Sequence, residues 1–388
     1  HCQVQGVSIL TDEEDLEMER SLNMLNKPPK KTIKTKEGGT IDCIDMYKQP
    51  SLDHPLLKDH KIRMRPTSLP KNSMEGISHL SERKFTMSRP MSISCPEGTV
   101  PIPRTKREDL IRAKSFSQSF PRNMHPLTGI TPGKHLAIIR SVPDPKITYK
   151  GIQADLNVLN PTIQANQRSF GQFWIENGSP SVRNSLQFGW MVAPDLYGNN
   201  STYVFMYWSA MHGKNMEGCF NYLCKGFVQT SKSYCVGVPL KASTYGSKTQ
   251  LETNHMIFQD RVTGDWWLRN TFVNANIGYW PKALLPELAE GASQVVWGGH
   301  AVGQPNKASP PMGNGLFPDG NYRHGSYVRQ IKIIDKSNII LDPWGPYYKL
   351  ESFIDNTHCY NLKDFGYNGE QLGFSFYFGG PGGVDCGI

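Results

Sequence analysis

The stretch TYVFMYWSA, residues 202–210, predicts a β-strand that is covered on both of its faces. Alternate residues of a strand point to opposite faces of the sheet. Here the odd-numbered positions from 203 carry Tyr, Phe and Tyr, and the even-numbered positions from 204 carry Val, Met and Trp. A strand that is apolar on both sides has to be buried on both sides. We therefore expect this strand to lie in the middle of a sandwich of two β-sheets.

Further short segments from about residue 135 to the C-terminus carry the same signal, with aromatic residues between glycine-containing turns. The expected strands are HLAIIRSV (135–142), GIQADLNVLN (151–160), GQFWIE (171–176), LQFGWMV (186–192), GFVQT (226–230), MIFQDR (256–261), DWWLRN (265–270), VVWGGHAV (295–302), YVRQIKII (327–334) and FSFYFGG (374–380). Only PKALLPELAEGA (281–292) predicts a short helix, which its internal proline limits. This pattern is typical of an all-β domain.

The N-terminal third is richer in lysine and proline and predicts a smaller domain of mixed structure. Thr11 as N-cap and Glu14 three residues later form a capping box that predicts a helix over residues 11–27. From residue 104 to residue 133 the chain is basic, serine-rich and interrupted by proline, which is typical of an exposed connector open to proteolysis. We expect residues 1–133, with this connector, to form the smaller domain and residues 134–388 the all-β domain.

Composition and motifs exclude several classes of function. The net charge is +8, but the basic residues are not interleaved with aromatic ones and no base-reading motif occurs, so we expect no nucleic-acid partner. The sequence has no G-x-S-x-G, H-E-x-x-H or Walker motif and no G-x-G-x-x-G after a strand, so we expect neither a metal nor a cofactor. No apolar run reaches the roughly eighteen residues of a membrane span, so we expect no membrane partner.

The eight cysteines include no Cys-x-x-Cys pair and no histidine at zinc-ligand spacing, which favours disulfides and an oxidising compartment. Overlapping glycosylation sequons begin at Asn199 and Asn200. Together these features predict a secreted glycoprotein, extracellular or vacuolar, whose signal peptide has already been removed.

Stretches spread over nearly the whole chain resemble, in the same order, the plant neprosin family of secreted glutamic peptidases. They are DCIDMYKQP (42–50), DHPLL (53–57), CPEGTVPI (95–102), GWMVAPDLYGNN (189–200), GCFNYLCKGFVQTS (218–231), GDWWLRN (264–270), IGYWPKALL (277–285), VVWGGHAV (295–302), GSYVRQIKIID (325–335) and FYFGGPGG (376–383). The resemblance implies that the residues up to about 130 form an activation peptide. This propeptide is then expected to be a binding partner of the rest of the chain. The resemblance also implies that the following catalytic domain is an antiparallel β-sandwich.

The resemblance further implies how most of the cysteines pair. The pairs carried over from the family are Cys219 with Cys224 and Cys359 with Cys386, and Cys43 with Cys95 is the pair we expect within the activation peptide. Cys2 and Cys235 stay unassigned, and the sequence leaves open whether they pair with each other or remain free.

The family cleaves peptide bonds after proline with two glutamates that face each other across a cleft, and the resemblance identifies both positions here. The glutamate that follows Trp-Gly-Gly in the family is His300, and the one three residues before the Trp of the Gly-Trp pair is Gln187. Both acids are therefore replaced. Glu176 is the nearest acidic candidate if the register differs, although as a strand residue before a turn it is expected to be a solvated carboxylate.

Three functions remain open at this point. The protein has kept the cleft and binds a proline-containing peptide or a small apolar ligand without ordinary acid proteolysis. Alternatively, His300 acts as general acid or base while the Gln187 amide donates to an oxyanion. The third alternative is an active post-proline endopeptidase that is made as a zymogen. A histidine pKa of about 6.5 would leave His300 charged in acid, so surviving activity should move toward neutral pH.

Aromatic residues near the expected cleft are candidates for stacking on a proline ring or another flat ligand. They are Trp190, Tyr203, Tyr207, Trp208 and Trp297. Because Tyr and Trp of a sandwich mostly fill its core, we expect no more than two of them to touch a ligand.

Overall fold

The computed structural model describes residues 11–72, 84–88, 93–119 and 131–386. The helices are α1 (Asp12–Leu25), α2 (Arg107–Ser119), α3 (Pro194–Tyr197) and α4 (Gly369–Leu372). The strands are β1 (Pro29–Lys34), β2 (Thr40–Asp45), β3 (Lys71–Asn72), β4 (Phe85–Met87), β5 (Thr99–Pro103), β6 (Lys134–Ser141), β7 (Gly151–Asn157), β8 (Arg168–Asn177), β9 (Asn184–Val192), β10 (Thr202–His212), β11 (Asn215–Phe220), β12 (Val228–Gln229), β13 (Gln250–Gln259), β14 (Trp266–Asn270), β15 (Ala275–Trp280), β16 (Gln294–Val302), β17 (Ser326–Ile334), β18 (Ile339–Leu341), β19 (Leu350–Ile354), β20 (Asn361–Tyr367) and β21 (Phe374–Gly379). Every segment expected to form a strand contains one, which confirms the all-β prediction.

Within the described residues the strands form two large sheets and one small one. Sheet I has the order β11-β10-β9-β8-β16-β6-β19. Sheet II has the order β12-β15-β14-β13-β7-β17-β18-β3, with β4, β20 and β21 attached, and β1-β2-β5 form the small N-terminal sheet. Neighbouring strands of sheet I are antiparallel, which confirms the antiparallel sandwich.

The main core lies between the two large sheets. Trp190 and Trp297 of sheet I share one cluster with Ile257 and Ile333 of sheet II, and none of these side chains is exposed. In β9 and β16 every residue is buried. Because such strands are covered on both faces, the side of sheet I that points away from sheet II, here called the outer face, is also covered.

The strand of the opening stretch, β10, is covered on both faces as expected, but its expected position was wrong. It lies between β9 and β11, second from the edge of sheet I. Its side chain Met206 belongs to the main core, and Phe205 belongs to a second apolar cluster on the outer face with Phe116 of α2. The burial of both faces therefore comes from a helix on the outer face and not from a central place in the sheet.

The expectation of an exposed connector over residues 104–133 was wrong for a large part of it. Residues 107–119 form α2, whose Phe116 is only 1% exposed, while residues 120–130 lie outside the described part of the chain. Lys114, Ser115 and Ser117, which contributed to the expectation of a connector, are exposed on this helix. The expected domain division at residue 133 stays a prediction.

Two shorter elements show the same mixture of outcomes. The capping box is confirmed, because Thr11 Oγ1 accepts a hydrogen bond from the Glu14 amide and the Thr11 amide donates to the Glu14 carboxylate. The expected helix within residues 281–292 consists instead of two single 3₁₀ turns, Lys282–Leu284 and Pro286–Leu288. Proline lacks the N–H that a continuous helix needs at this point.

All three expected disulfides are present, which are Cys43–Cys95, Cys219–Cys224 and Cys359–Cys386. Cys235 is free and buried, and burial raises the pKa of its thiol to about 12. Cys2 lies outside the described residues. Asn199 and Asn200 are both exposed, and their glycosylation and the secretion of the chain stay predictions. In the described part of the chain no helix is long and apolar enough to cross a membrane.

The N-terminal segment is fastened to the sandwich at several points. The Thr67 amide and hydroxyl both donate to the Asp260 carboxylate, and Arg63 pairs with Asp265 at 2.8 Å. Strand β4 adds in parallel to β13, and its residue Phe85 lies under the Arg329 guanidinium at 4.1 Å. These contacts fasten the segment to the loop between β13 and β14 and to strands β13 and β17 of sheet II.

Candidate functional site

Gln187 and His300 lie on the same face of sheet I. Gln187 of β9 is paired with Trp174 of β8, and His300 of β16 is paired with Phe170 of the same strand. Trp174 and Phe170 are both even-numbered residues of β8, and alternate residues share a face. Trp297, three residues from His300, points into the main core, so the shared face is the outer face.

The two residues are not in contact across that face. Strand β8 lies between β9 and β16, and the pairing offsets the two positions by four residues along the strands. In a flat sheet this offset corresponds to about 16 Å between the two α-carbons. Between them lies Gln172, which is paired with Gly189 on one side and Gly298 on the other. A direct Gln187–His300 pair is therefore not formed.

His300 has an apolar environment. It is fully buried, and its ring stacks on Phe170 with 5.0 Å between the ring centroids. Neither ring nitrogen has a hydrogen-bond partner among the described residues. Burial, together with the positive charges of Lys134 and Arg168, holds the pKa of His300 well below its usual range. Both effects favour the uncharged ring, which opposes the expectation that His300 is charged in acid, and the expected shift of activity toward neutral pH stays a prediction.

The amide groups of Gln187 and Gln172 form a short polar line in this apolar face. Gln172 Nε2 donates to Gln187 Oε1 at 3.4 Å, and Gln187 Nε2 donates to Ser185 Oγ at 3.2 Å. Gly189 leaves room for Gln172, since a Cβ at Gly189 would come within 2.8 Å of the Gln172 Cβ. Across the three strands, the Gln172 amide therefore has a glycine on either side, Gly189 on β9 and Gly298 on β16.

Glu176 is on the outer face as well, and the expectation that it is solvated was wrong. It lies on β8 opposite Ser185, one step diagonally from Gln187, and is only 2% exposed. Burial raises the pKa of its carboxyl group to about 8, and the nearby Arg183 opposes this rise only in part. Glu176 is therefore largely protonated at neutral pH.

The five aromatic candidates divide between the two faces. Trp190, Trp208 and Trp297 belong to the main core between the sheets, which corrects the expectation that they line a cleft. Tyr203 and Tyr207 are on the outer face, where Tyr207 is paired with Gln187. Each of the two tyrosines borders a cleft of about 230 Å³.

Sequence reasoning missed Gln172 and Trp174. Gln172 Oε1 and Trp174 Nε1 are buried and have no hydrogen-bond partner in the ranges that the structure describes. The signal was present in GQFWIE, where Gln, Trp and Glu alternate with apolar residues and so share one face of the strand. Together with His300, these side chains give the outer face several buried polar atoms that are not satisfied.

A second constellation lies at the end of sheet I. His135 Nδ1 is 2.7 Å from the Asp355 carboxylate, and His135 Nε2 is 2.8 Å from Ser309 Oγ. This is the order of groups in a serine hydrolase. However, the Ser309 amide donates to the Gly383 carbonyl, and the next residue, Pro310, has no N–H to stabilise an oxyanion. The three side chains therefore serve to join β6 to the C-terminal segment.

Two family models and several solved structures are similar to parts of this chain. Residues 165–381 match the family model described as Neprosin, and residues 32–138 match the one described as Neprosin activation peptide. Among solved structures, a scytalido-glutamic peptidase with a peptide-based transition state analog is similar at 9% identity and a TM-score of 0.32, over 64% of this chain and 98% of that one. SCP-B, a member of the Eqolisin family of peptidases in a complex with the tripeptide Ala-Ile-His, is similar at 9% identity and a TM-score of 0.29, over 64% and 98% of the two chains. The family models together span most of the sequence, and the chain belongs to the neprosin family, with an activation-peptide segment followed by a peptidase-type domain.

Proposed function

We propose that the outer face of sheet I is a groove that binds a proline-containing peptide without the acid hydrolysis typical of the family. The observation that carries this proposal is the set of buried polar atoms without partners at His300, Gln172 and Trp174. A buried polar atom without a partner costs about 1–3 kcal/mol. A peptide backbone offers donors and acceptors at regular spacing, so pairing with these atoms would favour binding.

The two dyad positions supply the chemical reason for the loss of hydrolysis. An amide at Gln187 cannot take a proton from water. A histidine that acts as general base needs a group that fixes its ring, and neither nitrogen of His300 is held by any described side chain. No proton is shared between two carboxyl groups here, as it is in acid peptidases with a carboxyl pair.

A second candidate is a post-proline endopeptidase that uses Glu176. It is favoured by the burial of this carboxyl group and by the rise of its pKa to about 8, which keeps a proton available up to neutral pH. Gln187, one step away diagonally, would orient the scissile carbonyl by donating from its amide. In this case the protonated Glu176 would give its proton to the leaving amine nitrogen, and the attacking water would give a proton to the resulting Glu176 carboxylate, which restores the carboxyl group.

Both candidates are tested on the full chain after a site-specific protease sequence is placed within residues 121–126 and cut. Binding of labelled proline-containing peptides is measured by fluorescence anisotropy from acid to neutral pH, and products are sought by mass spectrometry. We expect saturable binding and no product. His300→Phe keeps the ring stack but removes both nitrogens, so it should weaken binding, whereas the exposed Tyr245→Phe should not.

The outcomes separate the two candidates. Cleavage by the parent that is lost in Glu176→Gln supports the endopeptidase and contradicts binding without hydrolysis. Absence of both binding and cleavage in the cut chain contradicts both candidates. Equal binding by the parent and His300→Phe would show that the unpaired nitrogens do not contact the peptide.

A further inference from the structure

We propose that the pocket now filled by Phe116 is a side-chain subsite of the groove, and that it takes an aromatic side chain of the bound peptide once α2 has left. This inference rests on the proposed peptide-binding function and names a residue class that the peptide would carry. The chain's own Phe116 shows which side chain the pocket fits.

The pocket encloses the Phe116 ring almost completely. Phe116 is 1% exposed, and Phe220 meets it edge to face with 5.1 Å between ring centroids. The Arg168 guanidinium lies over the ring at 3.8 Å from its centroid. The other members of this cluster are Phe170, Met191, Ala193, Leu196, Phe205 and Val302, all buried.

Arg168 makes the pocket selective for aromatic rings. Its side chain is 5% exposed, and the Asp195 carboxylate accepts hydrogen bonds from its Nε at 2.7 Å and from its Nη2. The carboxylate holds the guanidinium by its edge, so that its flat side covers the ring. A cation over an aromatic face contributes about 1–2 kcal/mol when it is desolvated. An aliphatic side chain of similar size would bury the same apolar area without this contribution.

The pocket adjoins the His300 end of the groove. Arg168 is two residues before Phe170 on β8, and Phe170 stacks on His300. Side chains two residues apart on one face of a strand are about 7 Å apart, and the same spacing holds for an extended peptide. A peptide residue at His300 and an aromatic residue two positions away would therefore reach both places at once.

Phe116 is one of several residues that hold helix α2 on this face. It is the only buried residue of the helix over Arg107–Gln118, while Ala113 is partly buried against the same cluster and Ile111 is 44% exposed. One further contact is the hydrogen bond from Arg112 Nε to the Leu196 carbonyl oxygen at 3.1 Å. If the chain is cut after α2, within residues 121–126, the helix can leave the outer face. Its withdrawal would empty the pocket without disturbing sheet I.

The test uses the full chain with Phe116→Ala, in which the pocket is empty while α2 is retained. The probes are toluene, which corresponds to the side chain of phenylalanine, and methylcyclohexane, which has a similar size but no aromatic ring, and binding is measured by calorimetry. We expect toluene to bind about fivefold more tightly than methylcyclohexane, as about 1 kcal/mol from the guanidinium implies. The parent and the matched variant Ile111→Ala should bind neither probe. Adding Arg168→Gln, which can still donate a hydrogen bond to Asp195 but places no cation over the ring, should abolish the preference.

Equal affinity for the two probes, or no binding by a Phe116→Ala chain with the circular dichroism of the parent, would overturn the subsite. If that variant does not fold, the subsite is tested instead by measuring the binding of two peptides to the cut parent chain. The peptides differ only by Phe or Leu at one position. Equal binding of these peptides, or no binding, then refutes the inference. If Phe116→Ala binds toluene more tightly than methylcyclohexane but the cut parent binds no peptide, the proposed function is refuted, while the aromatic preference of the pocket stands.

Discussion

Replacing Glu176 by glutamine should make the stability of the protein less sensitive to pH. The carboxyl group is 2% exposed, and its pKa is raised from 4.5 to about 8. The folded chain thus holds a proton that the unfolded chain releases above pH 4.5. Because the folded state binds more protons over this window, the stability of the parent falls as the pH rises from about 4.5 to about 8.

The size of the effect follows from the same two values. At about 1.4 kcal/mol for each pH unit, the interval from 4.5 to about 8 corresponds to about 5 kcal/mol. Glutamine has nearly the same shape and carries no charge at any pH. Glu176→Gln should therefore match the parent below pH 4.5 and exceed its stability by up to about 5 kcal/mol above pH 8.

Urea unfolding followed by tryptophan fluorescence at a series of pH values measures this difference. The matched control is Glu290→Gln, which makes the same substitution at a side chain that is 89% exposed. A stability difference between Glu176→Gln and the parent that does not change between acid and alkaline pH would refute the reasoning. It would mean that Glu176 is hydrated or is ionised in the folded protein.

Three further predictions concern stability. Gly298→Ala should lower the free energy of unfolding by at least about 1–3 kcal/mol, because φ is +144° and the new Cβ would meet a backbone oxygen at 2.4 Å. The control Gly325→Ala, whose Cβ would have no atom within 4 Å, should be nearly neutral in the same urea titration. His300→Phe should leave the thermal midpoint unchanged or raise it, since no described hydrogen bond is lost, and a large decrease in scanning calorimetry would contradict this. Replacing both Cys43 and Cys95 by serine should cost about 4 kcal/mol, because the disulfide closes a loop with a sequence separation of 52, and an unchanged urea midpoint would contradict that cost.

The sequence predicts the sandwich well because alternation and turns are local signals. The strand over residues 202–210 is an example, since its two apolar faces correctly indicate burial on both sides. Its place near the edge of sheet I could not be predicted, because the cover of its outer face comes from Phe116, almost a hundred residues earlier in the chain. Local composition also misrepresents α2, in which Phe116 is the only buried residue over Arg107–Gln118.

The candidate site shows the same division. The shared face of Gln187 and His300 follows from strand parity and from the family resemblance, but their offset depends on the pairing register of β8, which no local pattern reveals. The burial of Glu176 likewise depends on what covers the outer face. The alternation in GQFWIE puts Gln172 on the same face, but only the strand pairing shows that it lies between the rows of Gln187 and His300.

The most direct test measures peptide cleavage by a variant in which both glutamates of the family are restored. The cut full chain with Gln187→Glu and His300→Glu is incubated with a proline-containing peptide in acid beside the parent, and products are followed by mass spectrometry over time. Carboxyl groups at positions 187 and 300 would approach a bound peptide from either side of Gln172 without touching each other, so we expect that the double variant cleaves the peptide after proline and that the parent does not. Cleavage by the parent, or a folded double variant that leaves the peptide whole, would contradict this account.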